Sequence, residues 1–163
     1  MWKKILAFAL VATSFAGCLK SEETAGLACT IDTCANKAPA SEIAQVEAYL
    51  ASQNITTAVK HCSGVYYIIE AQGATTKVTP CNQIVAKYEV KLTNGTLVEQ
   101  GQFSSYIPLT NLIKGWINTI PLIGVGGKIK LFIPPTLGYG SNPRPGIPAN
   151  SILVFDVEVL AAQ

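Results

Sequence analysis

Residues 128–140, KIKLFIPPTLGYG, begin as a strand and end as something else. Lys128, Lys130 and Phe132 alternate with Ile129, Leu131 and Ile133, the period of two that sends one set of side chains inward and the other outward. Pro134-Pro135 cannot donate to a ladder and ends the strand, and Tyr139 then stands between Gly138 and Gly140. A tyrosine delivered by so stiff a corner is either core packing or a group aimed at a neighbour.

The text on either side of this corner is strand-like. From His61 onward, GVYYIIEA, TTKVTPC, NQIVAKYEVKL, GTLVEQGQF, KIKLFI and SILVFDVEVL are rich in β-branched and aromatic residues and favour extended structure. Asn94-Gly95 signals a hairpin turn of the primed type. One helical segment interrupts the strands, LIKGWINTI, expected to start near a capping Asn111 and to stop at Pro121. These elements predict an α+β domain over residues 61–163, a curled antiparallel sheet wrapped around one short helix.

The other end of the chain reads as targeting. Residues 1–17, MWKKILAFALVATSFAG, carry Lys3-Lys4, an apolar run and small residues before Cys18, the pattern of a secretory signal. FAGC resembles a bacterial lipobox, with Phe15 where leucine is usual, so Cys18 is the expected lipidation site and mature N-terminus. The resemblance implies a lipid anchor rather than a membrane span, with the protein in the cell envelope. Leu19 after the cysteine favours the outer membrane, facing periplasm or surface. Residues 18–38 are small and polar and read as a tether, and 39–60 as a helical extension. Pro39 and Ser41 mark its helix start, Glu42 suits the N-terminal dipole, and Ile43, Val46 and Leu50 share one face for docking on the main domain.

Composition excludes several function classes. The chain has twelve basic and ten acidic residues, and removal of Lys3 and Lys4 leaves ten of each, with no basic stripe for nucleic acid. Without Cys18, Cys29, Cys34, Cys62 and Cys81 remain, an even number that permits three pairings; proximity favours Cys29–Cys34 with Cys62–Cys81, though sequence does not decide it. Their spacing lacks the tight pairs of a zinc site, and the lone His61 leaves no nucleophile–histidine arrangement to assemble. GVGG at 124–127 follows a helix and precedes a strand, the reverse of a phosphate loop. No metal or cofactor is expected. What remains is aromatic and aliphatic, a site that works by shape and desolvation.

Four motifs in register then make the resemblance specific: LIKGW, GGKIKLFIPPTLGYG, RPGIPANS and LVFDVEVL. Together with KYEVKLTNGTLVE upstream, they resemble the FKBP-type peptidyl-prolyl cis–trans isomerases, the macrolide-binding immunophilins, from about Gly64 to the C-terminus. The resemblance implies a proline pocket with Trp116 as floor, Leu112 and Ile113 as one wall, and Tyr88 and Phe155 as sides. Ile147 would come from the flap loop, and Tyr139 would aim its hydroxyl at the carbonyl of the rotating bond. The implied partners are proline-containing polypeptides and macrolide inhibitors. Val98-Glu99 stands where the family usually has Phe-Asp, and Arg144 where histidine is common. A second family phenylalanine has Phe103, Ser105, Tyr106 and Ile107 as candidates. The competing reading is a weakly active or inactive module that holds proline-containing segments.

Overall fold

Strand β6 (Lys128–Ile133) lies inside a seven-stranded antiparallel sheet of order β1-β2-β6-β7-β3-β4, with β5 also on β3. The other strands are β1 (Val59–Lys60), β2 (Tyr66–Ala71), β3 (Gln83–Leu92), β4 (Leu97–Gln102), β5 (Ile107–Pro108) and β7 (Leu153–Ala162). Among the described residues these strands are joined by two α-helices, α1 (Ala40–Ser52) and the short α2 (Lys114–Thr119), and by short 3-10 turns. The computed structural model describes residues 29–163; the signal segment and Cys18 lie outside the described residues. Among the described residues no helix is long and apolar enough to cross a membrane.

Alternation along the long strands builds the core. Ile129, Leu131 and Ile133 face inward with Ile84, Ala86 and Val90 of β3 and Leu153, Phe155, Val157 and Val159 of β7, all buried. Each large aliphatic side chain placed there contributes about 1.5–3 kcal/mol relative to exposure. The sheet curls over α2, whose Trp116 belongs to the same cluster. Gly115 lets that helix sit directly on β6, since a Cβ there would lie 2.7 Å from Ile133 Cδ1.

On the outer face the same strands alternate differently. Phe132 and Val154 are cross-strand neighbours and are covered by Val46 and Leu50 of α1, with Tyr49 6.2 Å from the Phe132 ring. The predicted docking face of the extension is therefore the face that docks. Further along, Lys130 pairs with Asp156 and Lys128 with Glu158 in a solvated charge ladder.

Several local expectations are corrected. Residues 75–81 form only an isolated bridge, Lys77 to Gly124, because Pro80 prevents a ladder; Val78 is anchored instead through its N–H to the Ile123 carbonyl, 3.1 Å. At the hairpin tip only Gly95 takes a positive φ, +84°, so a turn over Thr93-Asn94 is followed by a glycine bulge, rather than the primed two-residue turn. Helix α1 has no side-chain cap, Ser41 included. Asn111 ends a 3-10 turn (Leu109–Asn111), Ile113 is the N-cap of α2, and Pro121 continues into a second 3-10 turn.

The disulfides differ from the proximity-based pairing: Cys29 joins Cys81 and Cys34 joins Cys62, with Cα separations of 5.7 and 5.4 Å. The chain ahead of α1 lies back along the domain, with the Ala38 N–H on the Ser63 carbonyl at 2.9 Å. Neighbours in space thus displace neighbours in sequence. The stretch from Cys29 to Ala38, read as tether, is stapled to the domain at two points.

Candidate active site

The corner after β6 is a rigid delivery device. Pro135–Leu137 form a 3-10 turn with Leu137 buried, and the N–H groups of Gly138 and Gly140 both return to the Pro135 carbonyl, at 2.9 and 2.8 Å. Gly140 takes φ +57°, a conformation that suits glycine, and so reverses the chain just beyond Tyr139. The flap is tied to the same corner by the Asn150 N–H on the Gly140 carbonyl, 2.7 Å, and closes on itself through reciprocal Arg144–Ile147 backbone bonds.

Tyr139 reaches a cleft of about 110 Å³. Its floor is Trp116, only 3% exposed. Phe155 meets the indole edge-on, ring centres 5.5 Å apart, and Tyr88 does so at 6.0 Å. Phe103 closes the aromatic cluster, 5.4 Å from Tyr88 and 6.0 Å from Trp116. Leu112 and Ile113 form one wall, and Ile147 comes in from the flap. Ile113, which lines the cleft, is the N-cap of α2, so its own N–H precedes the helical ladder.

The polar rim is small. The Tyr88 hydroxyl hydrogen-bonds the Glu99 carboxylate, and burial, with that carboxylate adding to it, pushes the Tyr88 phenol up to about 12. Burial also raises the Tyr139 phenol; Glu99 adds to the rise and Arg144 opposes it. Both phenols therefore stay protonated at neutral pH and remain available as donors. The Arg144 guanidinium lies over the Tyr139 ring at 5.4 Å. The dimensions and lining of such a site suit an apolar planar group, with hydrogen-bonding groups at its edge.

Volume alone would point elsewhere. A shallower groove of about 570 Å³ lies on the outer sheet face, where Lys87, Glu89, Lys128, Asp156 and Glu158 line it. Its walls are charged and partly ion-paired, whereas the aromatic cleft gathers the groups that chemistry singles out.

The structure brings Tyr88, Glu99, Leu112, Ile113, Trp116, Tyr139, Ile147 and Phe155 together around one cleft. Val98 stands outside the lining, near Gly146 of the flap, where a Cβ would approach its Cγ1 to 3.4 Å. Val90 lines the cleft although sequence reasoning did not select it; its signal was the inward parity it shares with Tyr88 in β3. Of the candidates for the second phenylalanine position, Phe103 occupies the cleft. Cys34, His61 and Cys62 cluster within 4.8 Å, but the two sulfurs are bonded to each other and are not thiolates that could hold a metal.

Residues 74–160, just over half of the chain, match the family model of FKBP-type peptidyl-prolyl cis-trans isomerases. The chain is 43% identical over 106 residues to the FKBP-type peptidyl-prolyl cis-trans isomerase FkpA of Buchnera aphidicola subsp. Schizaphis graminum, covering 62% of this chain and 42% of that protein. To FkpA of Escherichia coli K12 it is 41% identical over 104 residues, 59% of this chain and 36% of that one. This chain thus spans less than half the length of these curated relatives. The crystal structure of FkpA from Escherichia coli superposes with a TM-score of 0.66 at 31% identity, covering 76% of this chain and 60% of that chain. A peptidyl-prolyl isomerase from Pseudomonas syringae, 21% identical with a TM-score of 0.65, covers 78% of this chain and 98% of that one, a likeness of fold. With the matched segment spanning the sheet, α2, the Tyr139 corner and the flap, the chain belongs to the FKBP-type peptidyl-prolyl cis–trans isomerase family.

Proposed function

We propose that this protein is a peptidyl-prolyl cis–trans isomerase that assists folding of envelope polypeptides at their X–Pro bonds. The observation that carries this reading is the aromatic cleft floored by Trp116 with the Tyr139 corner at its mouth. Rotation about a peptide bond meets a barrier of about 18–20 kcal/mol because the planar amide loses resonance on twisting. The planar form separates more charge than the twisted one, so transfer from water into an apolar aromatic box penalises the ground state more than the transition state. Trp116, Tyr88, Phe103 and Phe155 supply the box and grip the proline ring. The Ile113 N–H and the Tyr139 hydroxyl orient the substrate carbonyls. Glu99, through its bond to Tyr88, holds that ring upright at the edge.

Protease-coupled isomerisation of short X–Pro peptides by the purified protein tests the reading. Acceleration that collapses in Trp116→Ala and weakens in Tyr139→Phe supports it, and a folded protein without acceleration refutes it. A second reading rests on one specific feature. Val98-Glu99 replaces the family's Phe-Asp and Val98 stands outside the lining, so the same cleft would hold proline-containing segments with slow turnover. Macrolide inhibitors would compete for the cleft under either reading. The proposed location is an envelope membrane, anchored through lipidated Cys18. Cys18→Ser would then move the protein from the membrane to the soluble fraction, and an unchanged distribution would overturn the anchor.

A further inference from the structure

Helix α1 precedes the segment that matches the family, yet its first turn reaches the corner that carries Tyr139. Both carboxylate oxygens of Glu42 are engaged there. Oε2 accepts from the Thr136 backbone N–H at 2.8 Å, and Oε1 accepts from the Thr136 hydroxyl at 2.5 Å. Thr136 is the middle residue of the 3-10 turn, too near its start for an internal partner, so the carboxylate caps an otherwise orphan donor. Such charge-assisted bonds are stronger than neutral ones, and two on one residue fix direction as well as distance.

Both ends of this clamp are stiff. On the far side, Thr136 is three residues from Tyr139, with Leu137 buried between them and Gly138 and Gly140 bonded back to Pro135. On the near side, the start of α1 is held by the Ala38 N–H on the Ser63 carbonyl at 2.9 Å and by Ile43 packed on Gly64. The Cys34–Cys62 disulfide ties down the chain just before it. The extension's other polar anchor lies elsewhere: Glu47 accepts from the Tyr66 hydroxyl at 2.5 Å and from Lys60 at 3.1 Å, near the β1–β2 edge.

We infer that Glu42 is a positioning residue for the isomerase reaction: by clamping Thr136 it holds the Tyr139 hydroxyl over the cleft, which makes the amino-terminal extension part of the working site. This inference rests on the reading of the cleft as an isomerase site. A helix that merely stabilised the domain would need its apolar face and Glu47, and would have no use for a bidentate hold on the corner.

The test is a double-mutant cycle on the purified full chain, with kcat/KM for X–Pro isomerisation and Tm measured on every variant. Glu42→Ala is expected to lower kcat/KM by about threefold to tenfold in the wild-type background, because small displacements of an orienting group are costly. In the Tyr139→Phe background the same change is expected to cost less than about twofold, since the group being positioned is already absent. Glu42→Gln, which keeps an acceptor for the N–H, should recover part of the loss. Glu47→Ala should lower Tm without changing kcat/KM. Equal losses in both backgrounds, or unchanged kcat/KM in Glu42→Ala, would overturn the clamp while leaving the isomerase reading intact. Inactive wild type overturns both. If Glu42→Ala does not fold, Thr136→Val, which removes only the hydroxyl bond, takes its place in the cycle with the same two outcomes.

Discussion

The two faces of one sheet have been put to opposite uses. Inside, β3, β6 and β7 send their apolar residues against α2, and the packing is left incomplete at one edge, where Trp116 floors an open cleft. Outside, β6 offers Phe132 at one end and Lys128 and Lys130 at the other; a docked helix covers the first, and ion pairs with Asp156 and Glu158 dress the second. The inner surface spends aromatic area on an unfilled hole, which costs stability and leaves an open aromatic cleft. The outer surface buries Phe132 and Val154 beneath α1 and leaves mostly charge in water, with Leu160 of β7 exposed beyond it. Function and stability should therefore separate by face when side chains are removed.

The inner face should show the largest effect. Trp116→Ala removes the floor, and kcat/KM for X–Pro peptides should fall by more than about tenfold, alongside a loss of roughly 3–5 kcal/mol typical of a buried aromatic. Denaturant titration and peptide isomerisation on the same sample separate the two. Retained activity in a folded variant would contradict the role given to the floor.

Phe132→Ala is the matching change outside. Phe132 is 1% exposed beneath α1, so the expected cost is about 3 kcal/mol in stability, with kcat/KM unchanged under conditions where the variant is folded. A parallel loss of kcat/KM would mean that the faces are not independent and that the covering helix does more through Phe132 than dock.

Breaking Cys34–Cys62 by paired serine substitution should cost about 2–4 kcal/mol by chemical denaturation, because the bond closes a loop of 28 residues' separation. If the stability is unchanged, the α1 contacts and the remaining Cys29–Cys81 bond suffice to hold the extension in place.

Titration offers a finer contrast. The folded-state Tyr88 phenol lies at about 12 against an ordinary value of 10.0, so the unfolded chain releases this proton first as pH rises. The contribution is fully present below pH 10 and is lost as pH climbs towards 12; phenolate absorbance should report Tyr88 titrating late. With both cleft phenols neutral, activity should vary little between about pH 6 and pH 8.

The smallest effect belongs to the charge ladder. Lys130→Ala breaks a partly exposed pair with Asp156 and should change stability by no more than about 1 kcal/mol, less at high salt.

How much of this was readable before folding varied with the range of the interaction. Strand parity in KIKLFI separated Ile129, Leu131 and Ile133 from Lys128, Lys130 and Phe132, and the proline pair placed the Tyr139 corner, because alternation and ring constraints act within a few residues. The cast of the cleft was legible by another route, the resemblance of short motifs to a known family: eight of its residues sit in motifs whose order survives in the fold. Val90 and Phe103 were harder, since parity says which way a residue faces but not what opens in front of it. The turn at Asn94-Gly95 was located correctly and typed wrongly, because loop length across the hairpin, and not the dipeptide, selects the turn.

Sequence alone therefore settled the class of fold and the alternation along the strands, both governed by local sterics and hydrophobic period, while the cast of the cleft followed from the resemblance of its short motifs. Only the tertiary structure decided the pairing of Cys29 with Cys81 and of Cys34 with Cys62, the burial of Phe132 under α1 and the reach of Glu42 to Thr136. Each of those joins positions far apart in the chain, so it depends on where the whole backbone returns rather than on what any short segment prefers.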